Sequence, residues 1–229
     1  ISHASIAKNI LTVGAVMDIP GGYSGPSSVV MTSFSSWGPA DDGRIKPDIV
    51  TNGYQLYSTY DDNNTAYNSI SGTSMASPSA TGSLALLQEH WENLNGAGNY
   101  MRAATLKALV IHTADEAGSN TGPDYQFGWG LMNTKNAALK ISEDQTIDVI
   151  DERTLSNSAT YNRTVYSNGS EPLKVTICWT DVEGNPVGAS LDPITPMLVN
   201  DLDLRITKNA STYYPWKLDR DNPSNAATQ

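Results

Sequence analysis

The sequence lacks several features that define common classes of protein. It has one cysteine, Cys178, so an internal disulfide is impossible and a cysteine-rich zinc site is excluded. It contains no run of 18 apolar residues, which predicts that no segment spans a membrane. Basic residues are few, because 14 Lys and Arg stand against 24 Asp and Glu for a formal net charge of -10. This negative charge argues against nucleic-acid binding, which needs a basic surface.

The 229 residues are 39% hydrophobic and 17% charged, which is enough apolar material for a folded core. The hydrophobic pattern changes near residue 142, from helical periods before it to a period of two after it. Residues 1–142 have 7 basic and 11 acidic side chains, a net charge of -4, whereas residues 143–229 have 7 and 13, a net charge of -6. We therefore predict an α/β part at 1–142 and a β module at 143–229.

In the first part, short apolar runs bounded by Gly or Pro predict strands, and apolar residues spaced three and four apart predict helices. The predicted strands are 10–16, 29–34 and 48–50. The predicted helices are 77–94, 100–113 and 133–140. A serine-containing loop leads directly into the first of these helices.

In the second part, apolar and polar residues alternate strictly over 173–180 and 201–206, which is typical of half-buried antiparallel strands. Residues 146–150 and 160–166 are weaker strand predictions. Together they favour an antiparallel β-sandwich or jelly-roll module, incomplete because four strands are few for a closed sandwich.

The most informative motif is Ser-Gly-Thr-Ser-Met-Ala-Ser-Pro at residues 71–78. It places Ser74 at or near a helix N-terminus, where backbone N–H groups have no helical partner. A carbonyl group above the Ser74 hydroxyl would meet the backbone N–H of Ser74 as an oxyanion donor. The alternative is that Ser74 only caps the helix, as serine before an apolar helix commonly does.

Residues 72–78 resemble the nucleophile motif of the subtilisin-like serine proteases, the subtilases. Three further segments, 34–39, 46–50 and 128–133, also resemble that family in the same chain order. Two segments depart from it: Thr-Asn-Gly stands at 51–53 in place of Ala-Pro-Gly, and Ser-Ala-Thr-Gly at 79–82 in place of His-Val-Ala-Gly. The resemblance covers residues 1 to about 142. It implies part of a subtilisin-like, mostly parallel sheet with flanking helices.

Residues 199–204, Val-Asn-Asp-Leu-Asp-Leu, resemble a strand of the jelly-roll module in the subtilase branch of oxidatively stable alkaline proteases of bacilli. That module is linked to calcium in the branch, which makes structural calcium an expected cofactor. The candidate oxygen ligands are Asp192, Asn200, Asp201 and Asp203. The open alternative is that these residues form a solvated face of a strand.

The resemblance implies a secreted serine endopeptidase that cleaves polypeptides through an acyl-enzyme on Ser74. Its substrate and oxyanion neighbourhood would be Ile70, Ser71, Gly72 and Thr73. The family's triad runs Asp, His, Ser along the chain, with an Asn as second oxyanion donor, so three of these groups would precede Ile1. We therefore expect a truncated chain that is inactive alone and that needs the N-terminal part of the same precursor.

The local histidines do not replace the missing base. His90 lies 16 residues beyond Ser74 on one predicted helix, roughly 24 Å away at about 1.5 Å per residue. His112 is predicted to be a core or surface side chain, and His3 has no recognisable neighbours. The alternative function is a non-catalytic pseudoprotease or a β-sandwich binding module. An α/β-hydrolase esterase is excluded because Ala76 breaks the Gly-x-Ser-x-Gly motif.

Overall fold

A computed structural model describes residues 3–147 and 149–229. It contains strands, α-helices and short 3-10 helices at His3–Ile6 and Pro26–Ser28. The strands are β1 (Val13–Val16), β2 (Ile49–Asn52), β3 (Leu56–Thr59), β4 (Tyr67–Ile70), β5 (Ile206–Lys208) and β6 (Ser211–Tyr213). The helices are α1 (Thr73–Asn95), α2 (Ala103–Thr113) and α3 (Thr134–Ile147).

Strands β1 and β2 pair in parallel, as the resemblance implies, with Val13 opposite Ile49 and Val16 opposite Asn52. Val16, Ile49 and Val50 are fully buried, as expected of a parallel strand pair covered by other elements. The predicted strand at 29–34 provides only a single antiparallel bridge from Met31 to Val16. Ser35 folds back to Thr32 through a backbone hydrogen bond, which turns the chain away from the sheet edge.

Helix α1 packs on both strands of the parallel sheet and on α3. Its buried residues are Ala76, Ala80 and Leu87. Leu87 joins the largest apolar cluster, whose other buried members come from the segment at Met101, from α2 and from α3. The cluster contains Leu87, Met101, Leu109, Val110, Ala137 and Ile141. The helix ends at Gly96, whose φ of 96° suits glycine.

Another face of α1 is exposed to solvent and is made mostly of small or apolar residues. We call it the exposed α1 face, and its members are Pro78, Thr81, Gly82, Ala85 and Leu86. Leu86 is 62% exposed, although Leu87 beside it is almost fully buried. A methyl group added at Gly82 would meet no atom within 4 Å. The surface around Gly82 is therefore open enough for another segment to approach the helix closely.

Helix α3 extends beyond the predicted end at 140 and continues to Ile147. The weak strand prediction at 146–150 is therefore wrong for Thr146 and Ile147, and residue 148 lies outside the described residues. Asp144 accepts backbone hydrogen bonds from Val149 and Ile150, at 2.7 and 2.6 Å, where the chain leaves the helix. The division of the chain at 142 stays a prediction.

In residues 149–229 the regular strands are β5 and β6. They have three residues each and form an antiparallel hairpin with Ile206 opposite Tyr213. The predicted strands at 160–166 and 173–180 are not formed, and only Ile206 of 201–206 lies in a strand. At 173–180 the pattern has no partner strand to pair with among the described residues. Its apolar residues Leu173, Val175 and Ile177 are 39–43% exposed. The jelly-roll prediction is thus not confirmed.

The two parts of the chain meet at a polar junction formed by Lys8, Asn9, Asp181 and Asn200. The Lys8 ammonium lies 2.5 Å from the Asp181 carboxylate, and the side chains are 14% and 3% exposed. Asn9 exchanges two hydrogen bonds with the Asp181 backbone, at 2.8 and 2.9 Å. Asp181 also accepts from the amide and backbone N–H of Asn200. These contacts hold residues 149–229, which we call the second region, against residues 3–147, the first region.

Within the described ranges, no helix is both long and apolar enough to cross a membrane.

Candidate active site

Gly72 is the N-cap of α1 and Thr73 is its first helical residue. Ser74 is the second helical residue. Its side chain is exposed. Among the described residues, no hydrogen-bond partner is present for its hydroxyl. The structure therefore agrees with the predicted helix N-terminus but not with a side-chain cap, because the N-cap position belongs to Gly72.

As far as the structure describes the chain, two of the four backbone N–H groups at the start of α1 are free. Met75 and Ala76 both donate their N–H groups to the Gly72 carbonyl, at 3.0 and 3.3 Å. The N–H groups of Thr73 and Ser74 have no acceptor within the part of the chain that the structure describes. Unpaired N–H groups and the positive end of the helix dipole favour negative charge at this position. The arrangement can stabilise an oxyanion that forms beside the Ser74 hydroxyl.

Gly53 sets the position of this helix start. Its carbonyl accepts the Gly72 N–H at 2.8 Å. A Cβ at Gly53 would lie 2.6 Å from the Ala15 Cβ and 2.9 Å from the Gly72 carbonyl oxygen, so a larger residue would displace the loop. Next to it, the Thr51 hydroxyl donates to the Ala76 carbonyl at 2.8 Å. Sequence reasoning missed both supports, although glycine directly after a buried strand is a recognisable signal of close approach.

Asn52 occupies the position where the sequence departs from the expected proline. Its side-chain oxygen accepts the Tyr54 N–H at 2.9 Å, which is an Asx-type turn. Its amide nitrogen donates to Asp18 at 3.0 Å. The asparagine thus closes the turn by hydrogen bonding, where a proline would restrict it through its ring.

The predicted neighbourhood of Ser74 is continuous in the structure. Strand β4 ends at Ile70, which is half-buried, and the chain passes through Ser71 and Gly72 into the helix. The Ser71 hydroxyl accepts the Gln55 N–H at 2.8 Å and so ties the loop to the turn before β3. Their roles in substrate binding stay predictions.

The profile of the subtilase family matches residues 1–130, more than half of the chain. The chain belongs to the subtilase family. The match includes the segment from Ile70 to Ser74 and ends before the second region.

Individual relatives match shorter stretches of this subtilase. A PII-type proteinase of Lactococcus lactis subsp. cremoris is 46% identical over 65 residues, which is 28% of this chain and 3% of that protein. The C5a peptidase of Streptococcus pyogenes serotype M18 is 42% identical over 66 residues, which is 29% of this chain and 6% of that protein. The chain thus spans a small fraction of the length of these relatives.

Solved structures with a similar arrangement include the Clostridium perfringens CspB protease. It has a TM-score of 0.48 and 24% identity, over 58% of this chain and 27% of that one. The patellamide maturation protease PatA has a TM-score of 0.45 and 20% identity, over 59% of this chain and 44% of that one.

The histidines of this subtilase whose side chains are described lie away from Ser74. His90 is on the same helix as Ser74, as predicted, and its Nε2 lies 2.9 Å from the Ser142 hydroxyl. His112 is on α2, with Nδ1 3.0 Å from the Thr176 hydroxyl, and burial lowers its pKa to about 4. Neither is placed to take a proton from Ser74. The side chain of His3 lies outside the described residues.

The candidate calcium ligands do not form a donor set. The Asn200 amide donates to Asp181 at 2.8 Å. Asp203 is 84% exposed on its side chain and lies 3.5 Å from Arg205. No group of three or more His, Cys, Asp or Glu gathers anywhere in residues 3–147 or 149–229. The residues therefore do not fit a calcium site as they stand, and calcium binding stays a prediction.

A cavity of about 320 Å³ lies at the carboxyl ends of β1 and β2, beside the second and third turns of α1. Polar groups from Asp18, Asn52, Ser79 and Ser83 line it. Ser74 does not, so this cavity is separate from the nucleophile.

Proposed function

We propose that this chain is the nucleophile-bearing part of a subtilisin-like serine endopeptidase acting on polypeptides. The observation that carries the proposal is the exposed Ser74 hydroxyl, unbonded within the described residues and next to the free N–H groups of Thr73 and Ser74. Membership of the subtilase family supports the same assignment.

In the proposed reaction, the Ser74 oxygen attacks the carbonyl carbon of the scissile peptide while its proton passes to a base. The oxyanion of the tetrahedral intermediate accepts the Ser74 N–H. Collapse breaks the C–N bond, the amine leaves with a proton returned by the base, and water then hydrolyses the acyl-enzyme.

The base, its acid partner and the second oxyanion donor would come from the N-terminal part of the same precursor. The described histidines support this, because His90 and His112 are engaged elsewhere. The exposed α1 face supports it as well, because its small residues allow another backbone to pack closely against the helix that carries Ser74. The chain alone would then be inactive, since a serine without a base is a poor nucleophile.

The test compares Ser74→Ala with Ser77→Ala in the full-length protein. Ser77 is also exposed and lies three residues further along α1, so it is a matched control. We expect Ser74→Ala to lower kcat against a chromogenic peptide by about 10⁴-fold or more and Ser77→Ala to leave it within a few fold. Unchanged activity in Ser74→Ala would contradict the proposal and favour the non-catalytic alternative.

A second measurement tests the dependence on the upstream part. The 229-residue chain is incubated with a serine-directed fluorophosphonate, alone and after co-expression with the upstream segment. Labelling of Ser74 only in the second case is expected. Labelling of the isolated chain would show that the base is present within these residues.

Secretion, a calcium-binding jelly-roll module and polypeptide specificity are further parts of the proposal. The single cysteine is compatible with secretion without disulfides. Calorimetric titration of the full-length protein with calcium, and thermal unfolding with and without calcium, would test whether the metal binds. No heat of binding and no rise in Tm would remove calcium from the proposal.

A further inference from the structure

Asparagine followed by glycine occurs three times in the chain, at 52–53, 95–96 and 168–169. Such a pair is prone to deamidation, because the backbone nitrogen of the glycine can attack the side-chain carbonyl of the asparagine and no Cβ hinders its approach. The sequence therefore offers the same chemistry at all three positions. The structure gives each pair a different environment, and this environment decides which pair reacts.

The pair at 52–53 is held inside the fold. Gly53 is buried, and its N–H donates to the Val16 carbonyl at 3.0 Å. The Asn52 side chain is bonded at both ends, to the Tyr54 N–H and to Asp18. The nitrogen that would attack is thus committed to a bond at the end of β1 and β2. Reaction at this pair requires local opening of that part of the sheet.

The pair at 95–96 is held at the end of helix α1. The Gly96 N–H donates to the Glu92 carbonyl at 2.8 Å as the helix cap. The Asn95 amide donates to the Trp91 carbonyl at 3.0 Å, which turns the side chain back along the helix. Both reacting groups are tied to the last helical turn, so their reaction requires fraying of that turn.

The pair at 168–169 lies on the surface of the second region, where all of residues 161–170 are exposed. A Cβ at Gly169 would meet no atom within 4 Å, and the φ of Gly169 is 78°. Its N–H donates to the Ser167 hydroxyl at 3.1 Å, an exposed acceptor that water can replace. The nitrogen is therefore released without opening any part of the core.

The side-chain carbonyl of Asn168 is also prepared for attack. Its oxygen accepts the Ser170 N–H at 2.9 Å and the Ser170 hydroxyl at 2.7 Å. Attack at the carbon moves negative charge onto this oxygen, and donors already aimed at it stabilise that charge. Asn52 receives a similar backbone bond from Tyr54. The release of the glycine nitrogen therefore separates the two pairs more than the turn itself does.

We propose that Asn168 deamidates in the folded protein through a succinimide, and that the fold protects Asn52 and Asn95 from the same reaction. The Gly169 nitrogen bonds to the Asn168 Cγ, the Cγ–Nδ2 bond breaks, and ammonia leaves with the proton of that nitrogen. Water then opens the ring at either carbonyl and gives aspartate or isoaspartate. The product adds one negative charge to the second region. The proposal does not rest on the proposed function, because Ser74 takes no part in it.

Mass spectrometry of peptides from the full-length protein, incubated at pH 8, tests the proposal. A Ser74→Ala background excludes self-cleavage. In the folded protein we expect Asn168 to convert about tenfold faster or more than Asn52 and Asn95, because protected sites react only from rare open states. In unfolding urea the three rates should agree within a few fold. Equal rates in the folded protein, or the same inequality in unfolding urea, would overturn the proposal.

Low concentrations of urea separate protection by the fold from intrinsic reactivity. The rate at Asn52 should rise with urea concentration, since opening exposes surface, whereas the rate at Asn168 should stay nearly constant. A parallel rise at both positions would show that the fold protects Asn168 as well and would contradict the assignment.

Asn168→Gln locates the reaction, since glutamine must close a larger ring and does so far more slowly. Labelling of the incubated folded protein by an isoaspartate-specific methyltransferase should fall to a small fraction in this variant. Asn209→Gln is the matched control, because Asn209 is also exposed, with a φ of 55°, but precedes alanine. It should retain the labelling. Loss of labelling in both variants, or in neither, would overturn the proposal.

Discussion

The two regions of the chain are held together by different physical forces. Among the described residues, the buried hydrophobic side chains lie between residues 15 and 141 with the single exception of Ala227. In residues 149–229 the apolar side chains are largely exposed, and a buried polar group, Asp181, anchors the segment to the first region. The first region builds a core from helix-on-sheet packing, whereas the second depends on contacts with it.

The family match ends at residue 130, whereas the core continues through α3 to Ile141. The matched part contains the buried β1–β2 pair and helices α1 and α2. Substitutions should therefore affect the two regions by different mechanisms, by loss of packing in the first and by loss of ionic contacts in the second.

The largest expected effect comes from the apolar core of the first region. Leu87→Ala removes a buried side chain from the cluster with Leu109 and Ile141 and should lower the free energy of unfolding by about 3 to 5 kcal/mol. Leu86→Ala, at the neighbouring exposed position, should change it by about 0.5 kcal/mol or less. Urea unfolding followed by circular dichroism measures both. Equal effects would contradict the assignment of the two faces of α1.

Sequence patterns predicted β1, β2 and the three helices of the first region because their hydrophobic periods match buried faces. They did not predict β3 or β4, and the predicted strand at 29–34 provides only one bridge. The strand at 10–16 and the helix carrying Ser74 are where they were expected, and the predicted segment from Ile70 to Ser74 is continuous at the helix start. The support from Gly53 was missed, since the glycine itself is the only sign in the sequence that two backbone segments approach closely there.

The second region was less predictable from its pattern. Alternation at 173–180 indicates which side chains could share a face, but a strand also requires a paired backbone, which alternation does not supply. Here Thr176 bonds to His112 and Lys174 to the His112 carbonyl, so polar residues make the contacts to the first region.

An intermediate effect is expected at the polar junction. Although burial opposes ionisation, Lys8 and the N–H groups of Val199 and Asn200 hold the pKa of Asp181 well below its usual range. Asp181→Asn should lower the free energy of local opening of the second region by on the order of 2 to 3 kcal/mol. Hydrogen exchange should show reduced protection at Val199 and Asn200 but not in α2. An equal loss in both regions would contradict a role confined to the junction.

The same pKa shift sets a pH dependence for the junction. Because the folded pKa of Asp181 lies below the unfolded value of about 3.9, its stabilisation is complete above that value. It is lost as the pH falls through the folded pKa. Asp203→Asn is the control, since that carboxylate is 84% exposed and lies outside the junction.

The smallest effect is expected from His112, which joins α2 to Thr176. Burial, with the nearby charges of Lys174 and Lys140, lowers its pKa to about 4, below the ordinary 6.5. The unfolded chain therefore takes up the proton first, and stability is lost as the pH falls from about 6.5 towards 4. Because the ring remains partly solvated, the loss should be on the order of 1 kcal/mol.

His112→Gln should remove this loss of stability between pH 6.5 and pH 4, whereas His90→Gln should retain it. This pH range is separate from that of Asp181. Urea unfolding at pH 7 and pH 4.5 compares the variants, and NMR titration of the His112 ring gives the pKa directly. A ring that titrates near 6.5 would show that the Thr176 contact does not bury it. The contact of α2 with the second region would then rest on the bond from Lys174 to the His112 carbonyl.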